Sequence, residues 1–333
     1  MMNFDYTPPF ELTLGILNKV SSISEKLGEI SIYNNLESRP HLRRNNNIRS
    51  IQSSLSIEAN SLSLDEVSDV INGHTVVGPE REITEVRNAY EAYEDIPEYD
   101  PYDLNDLKKA HRILTRDLDE NAGEFRKGNE GVFDGDKVIF IAPPPENVGP
   151  LMESLFGWMK ANREKINPLI LSSVFHYEFV FIHPFSDGNG RTARLWQNVL
   201  LSSWKEIFQY IPVETEVGRR QDDYYRVISD SHAAGNSNPF IDFMLECIDA
   251  AIDQVLKQTR SNEDVYSEYV RKLLNVMEYD IAYTRKDLME KLRLRSKETF
   301  RKHYLHPAVS LNLIKMTIPD KPQSRNQRYI KKS

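Results

Sequence analysis

The chain has 333 residues, of which 40% are hydrophobic and 28% are charged, and its formal net charge is −8. This composition is typical of a globular protein and excludes overall disorder, while the length favours two domains. Its apolar runs are only a few residues long, which excludes a membrane span, and its single cysteine, Cys247, excludes an intrachain disulfide and a cysteine-built zinc site.

The first residues, MMNFDYTPPFELT, lack a basic stretch followed by an apolar one, so we expect a cytoplasmic protein that makes no membrane contact. Charge is unevenly distributed. Residues 265–333 carry 16 Lys and Arg against 7 Asp and Glu, whereas the remainder carries 26 against 43. This asymmetry predicts a basic module attached to an acidic one. A basic face that docks on the acidic part and a nucleic-acid-binding surface both explain it.

Most of the chain before residue 260 has the apolar spacing of amphipathic helices, so the predicted fold class is mainly α. A first stripe covers residues 12–27, and a second one runs through Ile48, Ile51 and Leu55. Further helical segments are predicted at 83–93, 103–118, 148–159, 168–182, 189–206, 221–234 and 239–260.

Glu58 falls on the protein-facing stripe of the second helix. A buried carboxylate is costly unless a cation or hydrogen-bond donors pair with it, so this position predicts a partner. A frayed helix end that lets Glu58 reach water is the alternative. The chain then turns at Asn60, and Ser63 with Glu66 has the pattern of a capping box that begins a new helix.

A β-hairpin is predicted in GVFDGDKVIFIAPPP, because two short apolar runs are joined through Asp134-Gly135. The second run, residues 138–142, is continuously apolar and ends at prolines, which cannot extend a strand ladder. In a helical domain this hairpin has no large sheet to join. Its unpaired edge is therefore expected either to bind another extended chain or to pack against helices.

The stretch HPFSDGNGRTAR has the features of an anion site. Gly188 and Gly190 allow a tight turn, and a helix that begins near Asn189 contributes unpaired N–H groups, which favours phosphate. Arg191 and Arg194 are three residues apart and therefore neighbours on the helix surface. Two such side chains predict a ligand with more than one phosphate.

Two other side chains of the same stretch supply chemistry. Asp187 adjoins the phosphate site and is the candidate Mg²⁺ ligand, since Mg²⁺ is held by carboxylate and phosphate oxygens. His183 is the candidate general base, because an imidazole with an ordinary pKa near 6.5 accepts a proton at pH 7. Together these residues predict transfer of a group from a nucleotide to a hydroxyl.

The tail is predicted to form a separate module that follows a junction at 258–265. Thr284 with Asp287 has the pattern of a capping box, and Ser296 is placed to cap a second helix. Alternating apolar residues then predict two strands. Helix, turn, helix and a two-stranded wing is the order of a winged helix-turn-helix.

The stretch HPFSDGNGRTAR resembles the signature of the Fic family, HxFx(D/E)GNGRxxR, at every specified position. Similarity extends to GEFRKG, VIFIAPPP, GPEREITEVRNAYEAYE and the tail. It implies a helical Fic domain with a small hairpin flap, followed by a winged-helix domain. The implied division is an N-terminal helical region at 1–100, a catalytic core at 101–260 and a winged helix-turn-helix at 265–333. The implied reaction transfers AMP from ATP, with Mg²⁺, to a protein Ser, Thr or Tyr hydroxyl and releases pyrophosphate.

The resemblance also assigns roles to residues. His183 would deprotonate the target hydroxyl, Asp187 would hold Mg²⁺, and a buried Phe185 would orient the loop. The residues that would bind the nucleotide phosphates are Gly188, Asn189, Gly190, Arg191 and Arg194. The flap that would bind a target segment by strand addition consists of Val138, Ile139, Phe140 and Ile141, with Ala142. The segment DDYYRVI would place Tyr224 or Tyr225 near the adenine.

SLSIEAN, in a helix at about 44–60, resembles the inhibitory motif (S/T)xxxE(G/N) of this family, with Ser54 and Glu58 at its defined positions. The sequence departs from the motif at Ala59, where Gly or Asn is expected, and alanine is expected to keep the helix intact there. The implied mechanism pairs Glu58 with Arg194, so that ATP phosphates are misplaced and the resting enzyme is largely inactive. In some relatives the same glutamate helps to remove AMP, so de-AMPylation stays open as a reverse activity.

Two other functions fit parts of the sequence. One is a DNA-binding transcription regulator in which the Fic-like domain is a sensor. Its phosphate contacts would come from Lys286, Lys291, Arg293, Arg295, Lys297, Arg301 and Lys302. The other is phosphoryl or a different nucleotidyl transfer, but Gly188 and Arg191 match the AMP-transferring pattern. The partners implied are a target protein and DNA, with a homodimer left open.

Overall fold

The computed structural model describes residues 6–33, 40–134, 137–265, 267–278, 281–311, 313–322 and 324–332. They form a mainly helical structure, which confirms the predicted fold class. In chain order the α-helices are α1 (Leu14–Tyr33), α2 (Pro40–Ile57), α3 (Leu64–Ile71), α4 (Glu80–Glu94), α5 (Leu104–Leu114), α6 (Pro145–Asn162), α7 (Pro168–Ile182), α8 (Asn189–Trp204), α9 (Val213–Arg219), α10 (Gln221–Ala234), α11 (Asn238–Val265), α12 (Glu268–Val276), α13 (Arg285–Lys291), α14 (Lys297–Thr299) and α15 (His306–Ser310). The strands are β1 (Gly131–Asp134), β2 (Lys137–Ile141), β3 (Tyr283–Thr284), β4 (Ile314–Met316) and β5 (Arg328–Lys331).

The chain divides into two compact units. The first comprises Met1–Ile32 and Arg44–Asp253, and the second comprises Tyr33–Arg43 and Gln254–Ser333. Helix α11 runs to Val265 and includes the predicted junction at 258–265. The three-part division of the chain at residues 101 and 265 stays a prediction.

The first unit is built around α7 and α8. Almost every residue of α7 is buried, because the sequence PLILSSVFHYEFVFI is apolar on all sides and only a helix at the centre of a domain can bury such a surface. Helix α8 packs beside it and is also buried over most of its length. The residues that connect these two helices are therefore held at both ends by the rigid core of the unit.

Helices α2 and α4 pack on this core next to the α7–α8 connection. Ile48, Ile51 and Leu55 of α2 belong to the same apolar cluster as the residues of α7 and α8, as the stripe predicts. After α2, Ser63 and Glu66 form the predicted capping box at the start of α3.

The predicted hairpin is present as an antiparallel pair of β1 and β2 with an irregular register between Val132 and Phe133. The described residues add no third strand to this small sheet. Gly135, on which the turn prediction depends, lies outside the described residues.

In the second unit both predicted helix caps are present. Thr284 and Asp287 form a capping box before α13, and Ser296 accepts a hydrogen bond from the N–H of Thr299. Helices α14 and α15 are joined through a π-helical segment, Phe300–Leu305, that the sequence analysis missed. The sheet has three strands in the order β3-β5-β4, since the two-residue strand β3 adds to the predicted pair.

No helix within the described ranges is both long enough and apolar enough to cross a membrane.

Candidate active site

The candidate base, His183, follows the last residue of α7 and has a left-handed backbone with φ 51° and ψ 60°. Its N–H donates to the carbonyl of Phe179 at 3.0 Å, so the backbone is still tied to the helix where the chain turns away. Burial lowers the pKa of the imidazole below its ordinary value of 6.5, although a hydrogen bond with the Val180 backbone acts in the opposite direction. His183 is therefore neutral at pH 7.

Two glycines determine the shape of the loop that leads from His183 into α8. Gly188 precedes the first residue of the helix with φ 74°, and a Cβ there would lie 2.8 Å from Thr115 Cγ2. A Cβ on Gly190 would lie 2.3 Å from Glu58 Oε1. The positive φ requires glycine at position 188, whereas a Cβ at position 190 would displace the flexible end of the Glu58 side chain.

Asn189 closes this loop with its side chain. Its Oδ1 accepts from the N–H of Phe185 at 3.0 Å, and its Nδ2 donates to the Phe185 carbonyl at 2.7 Å. Phe185 itself is fully buried. The Asn189 amide thus shapes the loop, so that its contribution to an anion site comes from the backbone N–H at the start of α8.

His111 of α5 supports the loop through its side chain. It is a residue that the sequence analysis missed. Its ring stacks on Phe185 with centroids 3.6 Å apart. Its Nδ1 accepts from the Gly123 N–H at 2.9 Å, so Nε2 carries the proton and donates to the Asp187 carbonyl at 2.9 Å. Burial lowers the pKa of His111 to about 4, which keeps the ring neutral. The signal in the sequence was a histidine on the buried stripe of α5, between Ala110 and Leu114.

Arg126 is the second residue that sequence reasoning missed, although it lies within GEFRKG. It is 5% exposed, and its guanidinium donates to the carbonyls of His183 at 2.6 Å, Gly128 at 2.7 Å and Pro143 at 2.6 Å. Gly128 and Pro143 lie on either side of the hairpin. Arg126 therefore fixes the base of the hairpin against the backbone of the candidate base.

Asp187 lies between two arginines. Its Oδ1 accepts from the Gly188 N–H at 2.6 Å and from Arg191 Nη2 at 3.1 Å, and its Oδ2 accepts from Arg81 Nη2 at 3.0 Å. Burial alone would raise the pKa of Asp187, but Arg191, the Gly188 N–H and Arg81 together lower it. The carboxylate is thus ionised.

The donor set at Asp187 fits Mg²⁺ that arrives with a nucleotide. Within the described ranges no group of three or more His, Cys, Asp and Glu side chains converges to hold a metal ion. A metal on Asp187 would therefore take its other ligands from phosphate oxygens and water, which is the usual coordination of Mg²⁺.

The two arginines of the motif differ in their partners. Arg191 is 5% exposed, and among the described residues its Nε and Nη1 have no hydrogen-bond partner, although Nη1 lies 3.5 Å from Glu85 Oε1. Arg194 is 3% exposed and is held by the region around the end of α2. Its Nε donates to Ser54 Oγ at 2.9 Å, and its Nη2 donates to the Ser54 carbonyl at 3.0 Å and to Glu58 Oε1 at 2.7 Å.

The pairing of Glu58 with Arg194 has the geometry of a charge-assisted hydrogen bond. Burial alone would lower the pKa of Arg194, but the Glu58 carboxylate raises it, so the guanidinium stays charged. The structure thus brings Ser54 and Glu58 together with Arg194, which lies about 140 residues later in the sequence.

Ala59 does not continue α2 as the sequence analysis expects. The helix ends at Ile57, and Ala59 adopts φ 66°. The N–H of Asn60 donates to the Leu55 carbonyl at 3.1 Å, and that of Ala59 to Ser56 at 3.0 Å. These two bonds define a Schellman motif, in which the left-handed position is usually glycine. The expectation of an intact helix is wrong. Alanine favours a helix locally, but the chain turns at this residue and places Asn60 outside the helix.

A cleft of about 530 Å³ opens beside the loop and is lined by Glu58, His183, Gly190, Tyr225, Arg226 and neighbouring residues of α7 and α10. This volume is typical of a small-molecule site. Tyr225 is half-exposed on its wall, and its hydroxyl donates to the Ile57 carbonyl at 3.2 Å. Tyr224 also lines the cleft but is buried, and its hydroxyl is hydrogen-bonded to His176 Nε2 at 3.0 Å.

Of the predicted flap, Ile141 is 66% exposed and Ala142 is buried. The side chains of Val138, Ile139 and Phe140 lie outside the described residues, so target binding by the flap stays a prediction.

Two family models match the sequence. Residues 101–201 match the Fic/DOC family, and residues 268–330 match the C-terminal domain of Fic-like proteins, the latter described as "Filamentation induced by cAMP protein Fic-like". A crystal structure of a Fic family protein from Desulfovibrio desulfuricans G20 is 40% identical, covers 98% of this chain and 99% of that one, and has a TM-score of 0.74.

Two more distant relatives match smaller parts. A curated protein adenylyltransferase Fic from Culex quinquefasciatus is 32% identical over 158 residues, which are 47% of this chain and 29% of that protein. The chain thus spans about a third of the length of the curated relatives it matches. The Fic-1 structure from C. elegans, at 23% identity, 74% coverage of each chain and a TM-score of 0.59, shares the fold.

Proposed function

The chain belongs to the Fic/DOC family, and from that premise we propose that it is a protein adenylyltransferase. It transfers AMP from ATP to a Ser, Thr or Tyr hydroxyl of a target protein and releases pyrophosphate. The observation that carries this proposal is a nucleotide-sized cleft lined by the neutral His183 and by Gly190 at the start of α8, with the ionised Asp187 and two buried arginines on the same loop and helix.

The reaction begins with a proton transfer. The neutral His183 accepts the proton of the target hydroxyl while the hydroxyl oxygen attacks the α-phosphorus of ATP. The bond between the α-phosphorus and its bridging oxygen to the β-phosphate breaks, and pyrophosphate leaves with the electron pair. The hydrogen bond from Arg126 to the His183 carbonyl keeps the base at a fixed position next to the hairpin.

The phosphates bind at the start of α8. The N–H groups at a helix start attract anions, and the buried Arg191 Nε and Nη1 have no hydrogen-bond partner among the described residues, so a phosphate oxygen would satisfy them. Arg194 supplies a third charged donor once it is released from Glu58. Mg²⁺ held by Asp187 would neutralise charge on the phosphates and orient them for in-line displacement.

We propose that α2 autoinhibits the site, and we therefore name it the inhibitory helix. Glu58 Oε1 lies within hydrogen-bond distance of Arg194 and directly over Gly190, where a phosphate would approach the helix end. The carboxylate repels the terminal phosphate and occupies the arginine that would bind it. ATP then binds with its phosphates displaced from the in-line geometry.

The proposed reaction is tested with ATP labelled on either the α- or the γ-phosphate, offered to the Glu58→Gly protein with a cell lysate as the source of targets. Protein-bound label from α-labelled ATP alone supports AMP transfer. Label from γ-labelled ATP alone would show phosphoryl transfer instead and would overturn the proposal.

Ala59→Gly is expected to strengthen autoinhibition. Alanine at φ 66° costs about 1 kcal/mol relative to glycine, and this cost falls on the conformation in which Glu58 reaches Arg194. We therefore expect basal AMP transfer to fall about fivefold, because 1.4 kcal/mol corresponds to a factor of ten. Initial rates of target labelling measure the effect.

The matched control for this substitution is Ala59→Gly in the Glu58→Gly background. With no carboxylate to position, the rate there should not change. A basal rate that rises in the single variant would contradict the argument from backbone strain.

A second candidate function is DNA binding by the second unit. Its segment 297–310 exposes Lys297, Arg301 and Lys302 in the place that a recognition helix takes in a helix-turn-helix. We expect the full chain to bind labelled duplex DNA with an affinity that falls as salt rises, and Arg301→Glu/Lys302→Glu to abolish this binding. Lys160→Glu, an exposed change on α6, is the control. Binding that survives the double change would remove this candidate.

A further inference from the structure

Arg81, near the start of α4, contacts the carboxylate of Asp187, which would hold the metal ion. Its Nη2 donates to Asp187 Oδ2 at 3.0 Å, and its side chain is 61% exposed. Arg81 and Asp187 are 106 residues apart, and the sequence pattern gave no reason to connect them.

The two oxygens of Asp187 are not equivalent. Oδ1 faces the loop, where it accepts from the Gly188 N–H and from Arg191. Among the described residues Oδ2 accepts from the exposed Arg81. A metal ion has to approach Oδ2, because two donors already surround Oδ1. A metal ion that approaches this oxygen therefore competes with the guanidinium of Arg81 for its negative charge.

Arg81 is also connected to the end of the inhibitory helix. Glu85 Oε1 lies 3.5 Å from Arg81 Nε and 3.5 Å from Arg191 Nη1. Glu85 Oε2 accepts from Asn60 Nδ2 at 2.9 Å. Asn60 is two residues beyond Glu58, so the turn that brings Glu58 to Arg194 also supports the carboxylate that orients Arg81.

We propose that Arg81 is a positioning residue that competes with the divalent cation for Asp187. In the resting protein it neutralises the carboxylate and occupies Oδ2. When the metal arrives with the nucleotide, Arg81 leaves Oδ2 for solvent or a phosphate oxygen. The protein is thus restrained twice, at the γ-phosphate by Glu58 and at the metal by Arg81. This inference deepens the proposed AMP transfer and rests on it for its biological meaning, but its first test does not depend on transfer.

That test measures Mn²⁺ binding to the full chain without nucleotide, from the loss of the free-ion signal in electron paramagnetic resonance. The Asp187-dependent part is the difference between each protein and its Asp187→Asn counterpart. Arg81→Gln should bind this ion about twofold to fivefold more tightly than wild type, the range for an exposed ion pair removed from competition. Arg87→Gln removes the same charge from the same helix at another exposed position and controls for general electrostatics.

A second readout uses AMP transfer in the Glu58→Gly background. The Mg²⁺ concentration that gives half-maximal rate should fall by a similar factor on Arg81→Gln and stay unchanged on Arg87→Gln. Equal Mn²⁺ affinities of Arg81→Gln and Arg87→Gln would overturn the inference. If the affinities differ as expected while no variant transfers AMP, the metal competition stands and the proposed function fails.

Discussion

Replacement of His183 by alanine in the Glu58→Gly protein is expected to lower AMP transfer about 10²- to 10⁴-fold, the usual contribution of a positioned general base. No other described side chain of the cleft offers a neutral imidazole held by the backbone of the same loop: His232 lies on α10 and is bonded to Tyr177. Steady-state labelling with α-labelled ATP measures the loss.

ATP binding and pH dependence separate loss of the base from loss of structure. The arginines and the start of α8 do not depend on the imidazole, so His183→Ala should bind ATP about as tightly as its parent. The parent needs the neutral imidazole, and burial places the pKa of His183 below 6.5. Its rate should therefore be level down to about pH 6.5 and fall only at lower pH. A pH–rate profile whose acidic fall has its midpoint above pH 6.5 would rule out His183 as the base. Transfer by His183→Ala at the parental rate would rule it out as well.

Replacement of Glu58 by glycine is expected to raise AMP transfer roughly 10- to 100-fold. The change removes a charge-assisted hydrogen bond to the buried guanidinium of Arg194, and such bonds contribute about 1.5–3 kcal/mol. It also removes the carboxylate that lies over Gly190. Arg194 then becomes available to the γ-phosphate. The rate of target labelling at saturating ATP measures the gain.

Glu58→Gln is the matched control for this change. It keeps the size of the side chain and an acceptor for Arg194 but removes the negative charge, so an intermediate rate is expected. Equal rates for wild type and Glu58→Gly would mean that the ion pair is structural and that autoinhibition by α2 is absent.

The parts of the site that the sequence predicts are local. His183, Asp187, Gly188 and the arginines lie on one short loop and the helix after it, and the spacing of residues along a loop and a helix determines which of them are neighbours. The capping boxes at Ser63 and Thr284 are recognisable for the same reason, because each is formed within four residues.

The residues that the sequence analysis missed act over long distances along the chain. His111 reaches Asp187 across 76 positions, and Arg126 reaches His183 across 57. Neither residue lies in a sequence pattern that identifies its hydrogen-bond partner. At Ala59 the prediction failed for a different reason. The helix propensity of alanine favours a continued helix, but the contact of Asn60 with Glu85 requires a turn at this position. Strand β3 was missed because two residues carry no periodicity.

The most direct test of the account compares wild type, Glu58→Gly and Glu58→Gly/His183→Ala, each incubated with α-labelled ATP, Mg²⁺ and a lysate that supplies targets. We expect weak labelling by wild type, strong labelling by the single variant and none by the double variant. Absence of label with all three proteins, or equal label with the single and double variants, would contradict it.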